Sequence, residues 1–355
     1  MLSHHGGAMA YLVRPADLVA DRGAILDVWR ESLPSANADH YRWMYEQNPF
    51  GPVATWVLES TEQDAVVGVA TVLPRRLTGL ARTWRAGVTI DFAVSKGHRT
   101  LGPALMLQKA ITAACREQQF DLVYGFPIEA AARVQTRAGF TSLGHATEMR
   151  KTLRSASALA AGYGRVASLA APLVDSALRV VENVHVRSAA GNYRLVEATT
   201  FDERFDALWA RVKDTLPLTI ERTSTYLNWR YRQCPHASYR AFVMQSATAD
   251  DIAGYGVWSF HDGQFTVSDM LAENGACGMR VLTAEMLRLA RALRATVVTT
   301  RCFGAAATIE AQRSLGFRTG ESPRHAVMCV APNTPSADLL VDRRNWYLLD
   351  GDTDV

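Results

Sequence analysis

The sequence predicts a mixed α/β fold built twice in tandem, each copy a central mixed sheet flanked by helices. Three observations carry that expectation: a length of 355 residues, landmarks that recur in the same order in each half, and a shared alternation of strand-like and helix-like segments. A chain of this length exceeds one small domain and suits two of roughly 150 to 200 residues.

The landmarks come first. His40-Tyr41-Arg42-Trp43-Met44-Tyr45 leads to Pro49, and Leu227-Asn228-Trp229-Arg230-Tyr231 leads to Pro235, so both copies read W-x-Y-x-x-x-P. Counting 25 residues on from each Trp reaches Gly68 and Gly254, inside the strand-like runs AVVGVATVL and IAGYGVWSF, and the offset is 186 both times. Later, GVTIDFAV and QFTVSDML carry Asp91 and Asp269, which precede Gly139-Phe140 and Gly316-Phe317 by 48 and 47 residues. Self-similarity of this kind marks a duplicated unit.

The elements follow in the same order in both halves. Helices are expected over Asp21–Leu33 and Phe201–Asp214, each followed by a short aromatic helix. Strands are expected near Thr55–Glu59, Val66–Leu73 and Val88–Val94. A long helix over Pro103–Gln118 carries Leu105, Leu107, Ala110, Ile111 and Ala114 at the spacing of a buried stripe. Leu122–Phe126 reads as an interior strand, and Glu129–Arg137 as a helix that Gly139 terminates. The second copy repeats this as Val281–Leu293, Thr296–Thr300 and Ala305–Leu315. The resulting division is 1–152 for the first domain, 153–190 for a helical linker, 191–332 for the second domain and 333–355 for a C-terminal tail. The acids of the tail evoke a calcium loop, but the chain ends before the Glu that an EF-hand requires. A segment docked near the acceptor site is expected instead.

Composition narrows the class. Hydrophobic residues make up 48% and charged residues 21%, with a mean hydropathy of -0.05, the make-up of a soluble globular protein. Basic and acidic residues number 38 and 35, and no Lys/Arg run exceeds two, so no nucleic-acid partner is expected. Five dispersed cysteines, Cys115, Cys234, Cys277, Cys302 and Cys329, form no CxxC pair. They suit a reducing compartment without a metal site. The start, MLSHHGGAMAYLVRP, shows no secretory signal, and the most apolar stretch, Ala156–Val174, is broken by Gly162, Gly164, Arg165 and Pro172. A cytoplasmic protein without a membrane span, monomeric or homodimeric, is therefore expected.

The chemistry is expected where the strand at Val88–Val94 meets the long helix. The junction reads Asp91-Phe92-Ala93-Val94-Ser-Lys-Gly-His-Arg99-Thr100-Leu101-Gly102-Pro103-Ala104. A small-residue loop between strand and helix leaves backbone N–H groups free at a helix N-terminus, where the dipole favours an anion. Gly102 and Ala104 lack bulk that would hold a diphosphate away, Pro103 suits the first helical turn, and Arg99 supplies a permanent cation.

Arg99, Gly102 and Ala104 fall on the Arg/Gln-x-x-Gly-x-Gly/Ala loop of the GNAT N-acetyltransferase superfamily, and the strand, helix and closing Gly-Phe that follow match it too. Over residues 10 to 150, and more weakly over 195 to 330, the chain resembles a tandem GNAT protein. The resemblance implies acetyl-CoA or another acyl-CoA as donor. It places the pantetheine arm and thioester oxygen on the backbone of Phe92, Ala93 and Val94, and the pyrophosphate at Arg99–Ala104. It implies transfer of the acyl group to a primary amine of a small molecule, such as an amino sugar or its nucleotide-linked form, by direct attack.

The departures from that pattern are also informative. The second copy has no Arg three residues before Gly278, and Glu273 would repel a phosphate, so one acyl-CoA site per chain is expected. Gln135 and Gln312 stand where many GNAT enzymes carry a Tyr that protonates the leaving thiolate, which leaves water or Tyr124 for that task. Direct attack needs a neutral amine and a route for its proton. Asp91 is the candidate base or amine-binding group, with pairing to Arg85 as the structural alternative. Trp43, Tyr45, Trp229, Arg230, Tyr231 and Asp269 are candidate acceptor-binding residues at the junction of the halves, with core packing as the alternative. His98 reads as a solvated loop residue. A non-catalytic pair that binds acyl-CoA or a partner, and an aminoacyl transferase like the Fem group, are the competing functions.

Overall fold

The computed structural model describes residues 10–33, 35–153, 193–246 and 250–353. The expected linker over 153–190 falls, but for Leu153, outside the described residues. The first half runs β1 (Tyr11–Pro15), α1 (Arg22–Ser32), α2 (Ala38–Tyr41), β2 (Ala54–Ser60), β3 (Ala65–Gly79), β4 (Arg82–Val94), α3 (Leu101–Arg116), β5 (Leu122–Gly125), α4 (Glu129–Ala138) and β6 (Thr141–Thr152). The second runs β7 (Tyr193–Ala198), α5 (Glu203–Val212), β8 (Thr219–Ile220), α6 (Ser224–Leu227), β9 (Arg240–Ser246), β10 (Ile252–His261), β11 (Gln264–Ala272), α7 (Gly275–Ala292), β12 (Val297–Gly304), α8 (Ala306–Ser314) and β13 (Arg318–Val330). A terminal segment adds α9 (Ala337–Leu340) and β14 (Tyr347–Leu349).

Local chemistry explains the elements that matter for the site. Asn37 caps α2 by accepting from the backbone N–H groups of Asp39 and His40, and Thr223 caps α6 through Tyr226. Each short helix then widens into one π turn, Arg42–Glu46 and Asn228–Arg232, that carries its Trp and Tyr inward. Helix α3 buries Leu107, Ile111 and Ala114 of the expected stripe together with Cys115, while Leu105 and Ala110 are half-buried.

The strands form one continuous sheet in the order β1-β2-β3-β4-β5-β13-β6-β12-β11-β10-β9-β7, with β8 beside β3 and β14 beside β12. Read from either end the order is equivalent, β1 answering to β7 and β4 to β11, so an approximate two-fold axis runs between β13 and β6. The halves also exchange their last strands. β13 lies between β5 and β6, and β6 lies between β13 and β12. Neither half closes its sheet alone, which ties the tandem copies into one packed unit with a core that spans both. No helix among the described residues is long and apolar enough to cross a membrane.

Candidate functional site

Strands β4 and β5 run parallel but are laddered only from Ala86–Leu122 to Val88–Tyr124. Among the described residues, no strand covers the β5-facing edge of β4 beyond Val88, up to Val94. Within that stretch β4 carries an extra residue: Val69 pairs with Ala93 but Thr71 with Ile90, and Asp91 takes φ 51°. A bulge of this kind re-aims side chains and leaves backbone groups unpaired. A non-glycine residue in this region is strained and held there by its surroundings.

Helix α3 begins just past the end of β4. Thr100 at its N-cap makes no side-chain capping bond, and its first turn holds no acid, so its leading N–H groups stay available to an anion. A Cβ placed on Gly102 would meet nothing within 4 Å, so its small size answers no packing demand within the chain. Arg99 is exposed; its Nε donates to the Val94 carbonyl at 2.9 Å and its Nη2 to Ser32 Oγ at 2.9 Å. The guanidinium is thus folded back between the end of β4 and the end of α1. His98 is held by Tyr11 at 2.9 Å, with its other ring nitrogen 3.3 Å from Gln63.

The Asp91 carboxylate is held by α2 and the π turn that follows it. It accepts from Tyr45 Oη at 3.1 Å and from His40 Nε2, which lies 3.1 Å from both carboxylate oxygens. His40 Nδ1 is 2.7 Å from Nε2 of His236, an exposed residue contributed by the second half. Thr71 joins the other end at 2.7 Å from Tyr45 Oη. Burial holds the Tyr45 phenol well above its ordinary pKa. Burial and the neighbouring His40 together lower that of His236. Arg85 is engaged elsewhere, at Asp121, so the alternative pairing of Asp91 with Arg85 is absent.

The residues expected at an acceptor pocket lie in the core. Trp43, Tyr45, Trp229, Arg230 and Tyr231 are between 1% and 4% exposed, and Asp269 is 0% exposed. Trp43 and Trp229 stack across the two-fold axis, and Arg230 donates to the Gly351 carbonyl at 2.7 Å. Tyr124, considered for thiolate protonation, donates to the Asp352 carbonyl at 3.2 Å, and burial pushes its phenol up, which makes it a poor acid. Gln135 reaches Thr89 and Gln312 reaches Thr300, and in both amides Oε1 is buried without a partner.

The second half keeps the same plan but closes it. Tyr231 Oη donates to Asp269 at 3.1 Å, as Tyr45 does to Asp91, and β11 also carries an extra residue beside its acid. Where β11 and β12 part beyond Val267–Thr300, however, β14 fills the cleft, pairing Leu349 with Cys302 and Tyr347 with Gly304. Gly304 is required there, because a Cβ would fall 2.0 Å from the Trp346 carbonyl oxygen. Tyr347 bonds the Met270 carbonyl, and Arg222, 1% exposed, bridges Asp269 at 3.1 Å and Asp352 at 2.6 Å. At the start of α7, Gly278 abuts its own loop: a Cβ would lie 2.1 Å from the Glu273 carbonyl oxygen. Glu273 pairs with Arg211 at 2.6 Å. A cavity of about 520 Å³ remains outside this plug, with Tyr347 in its wall. The expected C-terminal tail therefore docks as a wedge in the second cleft.

His40 and His236 are the residues that sequence reasoning passed over. His40 stands in the repeat landmark, but its counterpart at the 186-residue offset is Tyr226, so the repeat gives it no emphasis. His236 lies directly after Pro235, the last landmark of the second copy, and nothing in the sequence ties it to Asp91.

No family model matches the chain, and no curated protein sequence matches it. Solved structures do. A protein of unknown function from Enterococcus faecalis V583, described as a probable N-acyltransferase, superposes with a TM-score of 0.64 over 90% of this chain and 72% of its own, at 8% identity. A GCN5-related N-acetyltransferase from Anabaena variabilis gives 0.62 over 90% and 72%, at 12% identity. The N-myristoyltransferase of Saccharomyces cerevisiae with bound myristoyl-CoA gives 0.52 over 90% and 82%, at 9% identity. At such identities the likeness is one of architecture, and the chain has the fold of the GCN5-related N-acetyltransferases, present in two copies.

Proposed function

We propose that the protein is an acyl-CoA-dependent N-acyltransferase with one active site per chain, in the first half. The observation that carries this reading is the contrast between two equivalent clefts: β14 fills the one between β11 and β12, while among the described residues no strand enters the one between β4 and β5. The donor lies in the open cleft, its pyrophosphate on the first turn of α3 with Arg99 and its thioester beside the β4 bulge. Phe92, Ala93 and Val94 offer backbone groups to the pantetheine arm, and Thr100, Leu101, Pro103 and Ala104 shape the cradle around Gly102. Asp91 anchors the amine side. The acceptor is a small primary amine; amino sugars are the first compounds to screen. All five cysteines are free thiols, which suits the cytoplasm.

Chemically, the amine nitrogen attacks the thioester carbon, the C–S pair leaves on sulfur, and the nitrogen sheds a proton. Backbone donors at the bulge stabilise the developing oxyanion. The test is a thermal-shift panel of CoA, acetyl-CoA and longer acyl-CoAs, since a ligand that binds only the folded state raises Tm. Stabilisation by one acyl class supports the reading, and no shift at millimolar ligand overturns it. The position of Gln135, which brings no phenol to the leaving group, favours a non-catalytic acyl-CoA binder as the second reading. Thiol release with an amine separates the two.

A further inference from the structure

We infer that Arg99 is a latch on the donor cleft: it occupies the Val94 carbonyl until a phosphate draws it off, so that the cleft selects thioester donors that carry phosphate over those that do not. The latch rests on the reading of the open cleft as the donor site and narrows the class of donor that site accepts.

The backbone fixes where the Val94 carbonyl points. Ser95 N–H donates to the Val67 carbonyl at 2.8 Å, so Ser95 and Val67 are a hydrogen-bonded pair at the end of the β3–β4 ladder. In an antiparallel ladder such pairs alternate with pairs whose backbone groups face outward, and Val94, opposite Gly68, is the next in line. Its N–H and C=O are therefore turned away from β3, toward the edge of β4 that β5 leaves uncovered. Val94 is also the last residue of the strand. A pantetheine amide laid along that edge would donate to this carbonyl.

The carbonyl is already taken. Ser32 Oγ donates to it at 3.2 Å and Arg99 Nε at 2.9 Å, and a carbonyl oxygen has two lone pairs to offer. Arg99 Nη2 donates in turn to Ser32 Oγ at 2.9 Å, which closes a three-cornered ring between the end of α1, the end of β4 and the loop before α3. The backbone on either side of Arg99 is pinned: Tyr11 holds the His98 ring at 2.9 Å, and Thr100 N–H donates to the His98 carbonyl at 2.7 Å. The side chain itself is exposed, so the guanidinium swings out by rotation of its own bonds without unpacking the core.

A phosphate is the partner that opens the ring. Among the described residues no carboxylate pairs with Arg99, whose acceptors are two neutral oxygens. A charge-assisted bond to phosphate is about twice as strong as a neutral one. Arg99 directly precedes Thr100, the N-cap of α3, where the diphosphate is expected. When the guanidinium turns to that anion it leaves one lone pair of Val94 free for the pantetheine amide. A donor without phosphate has to break the Arg99 bond with nothing to replace it. The two ends of the donor are thereby coupled, and the coupling is reciprocal: phosphate raises the affinity for pantetheine by the factor by which pantetheine raises that for phosphate.

The experiment uses the full chain and ligand-observed NMR titrations of pantetheine, with and without saturating inorganic pyrophosphate, beside calorimetric titration of CoA. Pyrophosphate should tighten pantetheine binding by about 2- to 10-fold, the worth of one hydrogen bond. Arg99→Ala should weaken CoA yet tighten pantetheine measured alone by a similar factor, and should remove the dependence on pyrophosphate. Ser32→Ala, which leaves the guanidinium in place but unties one of its two bonds, should shrink that dependence. An arginine that only binds phosphate gives another pattern, in which Arg99→Ala leaves pantetheine alone unaffected. That result, or pantetheine that binds no better with pyrophosphate than without it, overturns the latch while CoA binding upholds the donor site. Failure of the unaltered protein to bind CoA overturns the donor site and the latch together.

Discussion

Trp43 and Trp229 each donate their indole N–H to the other's backbone carbonyl, at 2.7 and 2.9 Å, while their rings stack with centroids 5.3 Å apart. The arrangement is its own mirror under the internal two-fold, and it is where the two copies meet. Each indole N–H meets a buried backbone carbonyl across the junction, so the pair couples hydrogen bonding to packing. Trp43→Ala should destabilise the chain by about 3–5 kcal/mol. The double variant with Trp229→Ala should cost clearly less than the two single losses added, because each removes the other's stacking partner while both backbone carbonyls remain. Urea unfolding of the four proteins measures both.

The two helix starts respond differently to bulk. Gly102 faces open space, so Gly102→Leu should leave the melting temperature nearly unchanged while it blocks CoA, whose diphosphate must approach the backbone. Gly278 faces the Glu273 carbonyl, and Gly278→Ala should cost about 1–3 kcal/mol in stability through overpacking, without altering CoA affinity. Calorimetric titration with CoA and thermal melts of both variants separate the two effects.

Arg99 must give up its bonds to Val94 and Ser32 to meet a phosphate, so its net contribution is the difference between the two sets. Arg99→Ala should weaken CoA binding by about 1–3 kcal/mol, as for a lost charge-assisted bond. Arg280→Ala, on the helix beside the plugged cleft, should do little. Equal losses in the two variants would contradict a single donor site.

Much of this architecture was legible in the sequence because the signals are local. The stripe on α3, the apolar run of β5 and the W-x-Y landmarks follow directly from spacing, and most of the expected elements lie within a few residues of their bounds, while β3, β4 and α7 each extend six residues beyond one of them. The exchange of β6 and β13 was not legible, since strand patterning says which face is buried and nothing about which neighbour lies alongside. The wedge of β14 escaped for the same reason. The aromatic clusters were legible as either core or acceptor pocket, their retention in both repeats pointing to core, because composition alone does not distinguish a stacked pocket from a stacked interior. The file through His40 and His236 joins residues 196 apart, a long-range contact that no periodicity encodes.

The wedge is held by charge as well as by strand pairing. Arg222 is buried between Asp269 and Asp352, and its removal would strand two carboxylates in the core. Arg222→Ala should therefore destabilise the chain by about 3–5 kcal/mol, measured by denaturant midpoint at pH 7. Asp352→Asn should cost less, because Asp269 still balances the guanidinium.

A second ionic anchor gives the fold a pH dependence of defined sign. Arg14 on β1 grips Asp21, at the start of α1, with two bonds of 2.7 and 2.8 Å, and also binds Glu59 of β2. The Arg14 guanidinium holds the Asp21 carboxyl below its ordinary value of 3.8. A carboxyl whose pKa is lowered by folding adds stability that is complete above the unfolded value and is lost as pH falls through the folded one. Asp21→Asn should thus cost about 1–2 kcal/mol at pH 7, toward the low end because Arg14 is a third exposed. The gap to the unaltered protein should close as pH drops below the usual carboxylate range. Because α1 ends at Ser32, which contacts both Val94 and Arg99, the same substitution should loosen the cradle and weaken CoA binding modestly at pH 7. A gap in melting temperature that persists to pH 2 would show that Asp21 acts through packing and not through its charge.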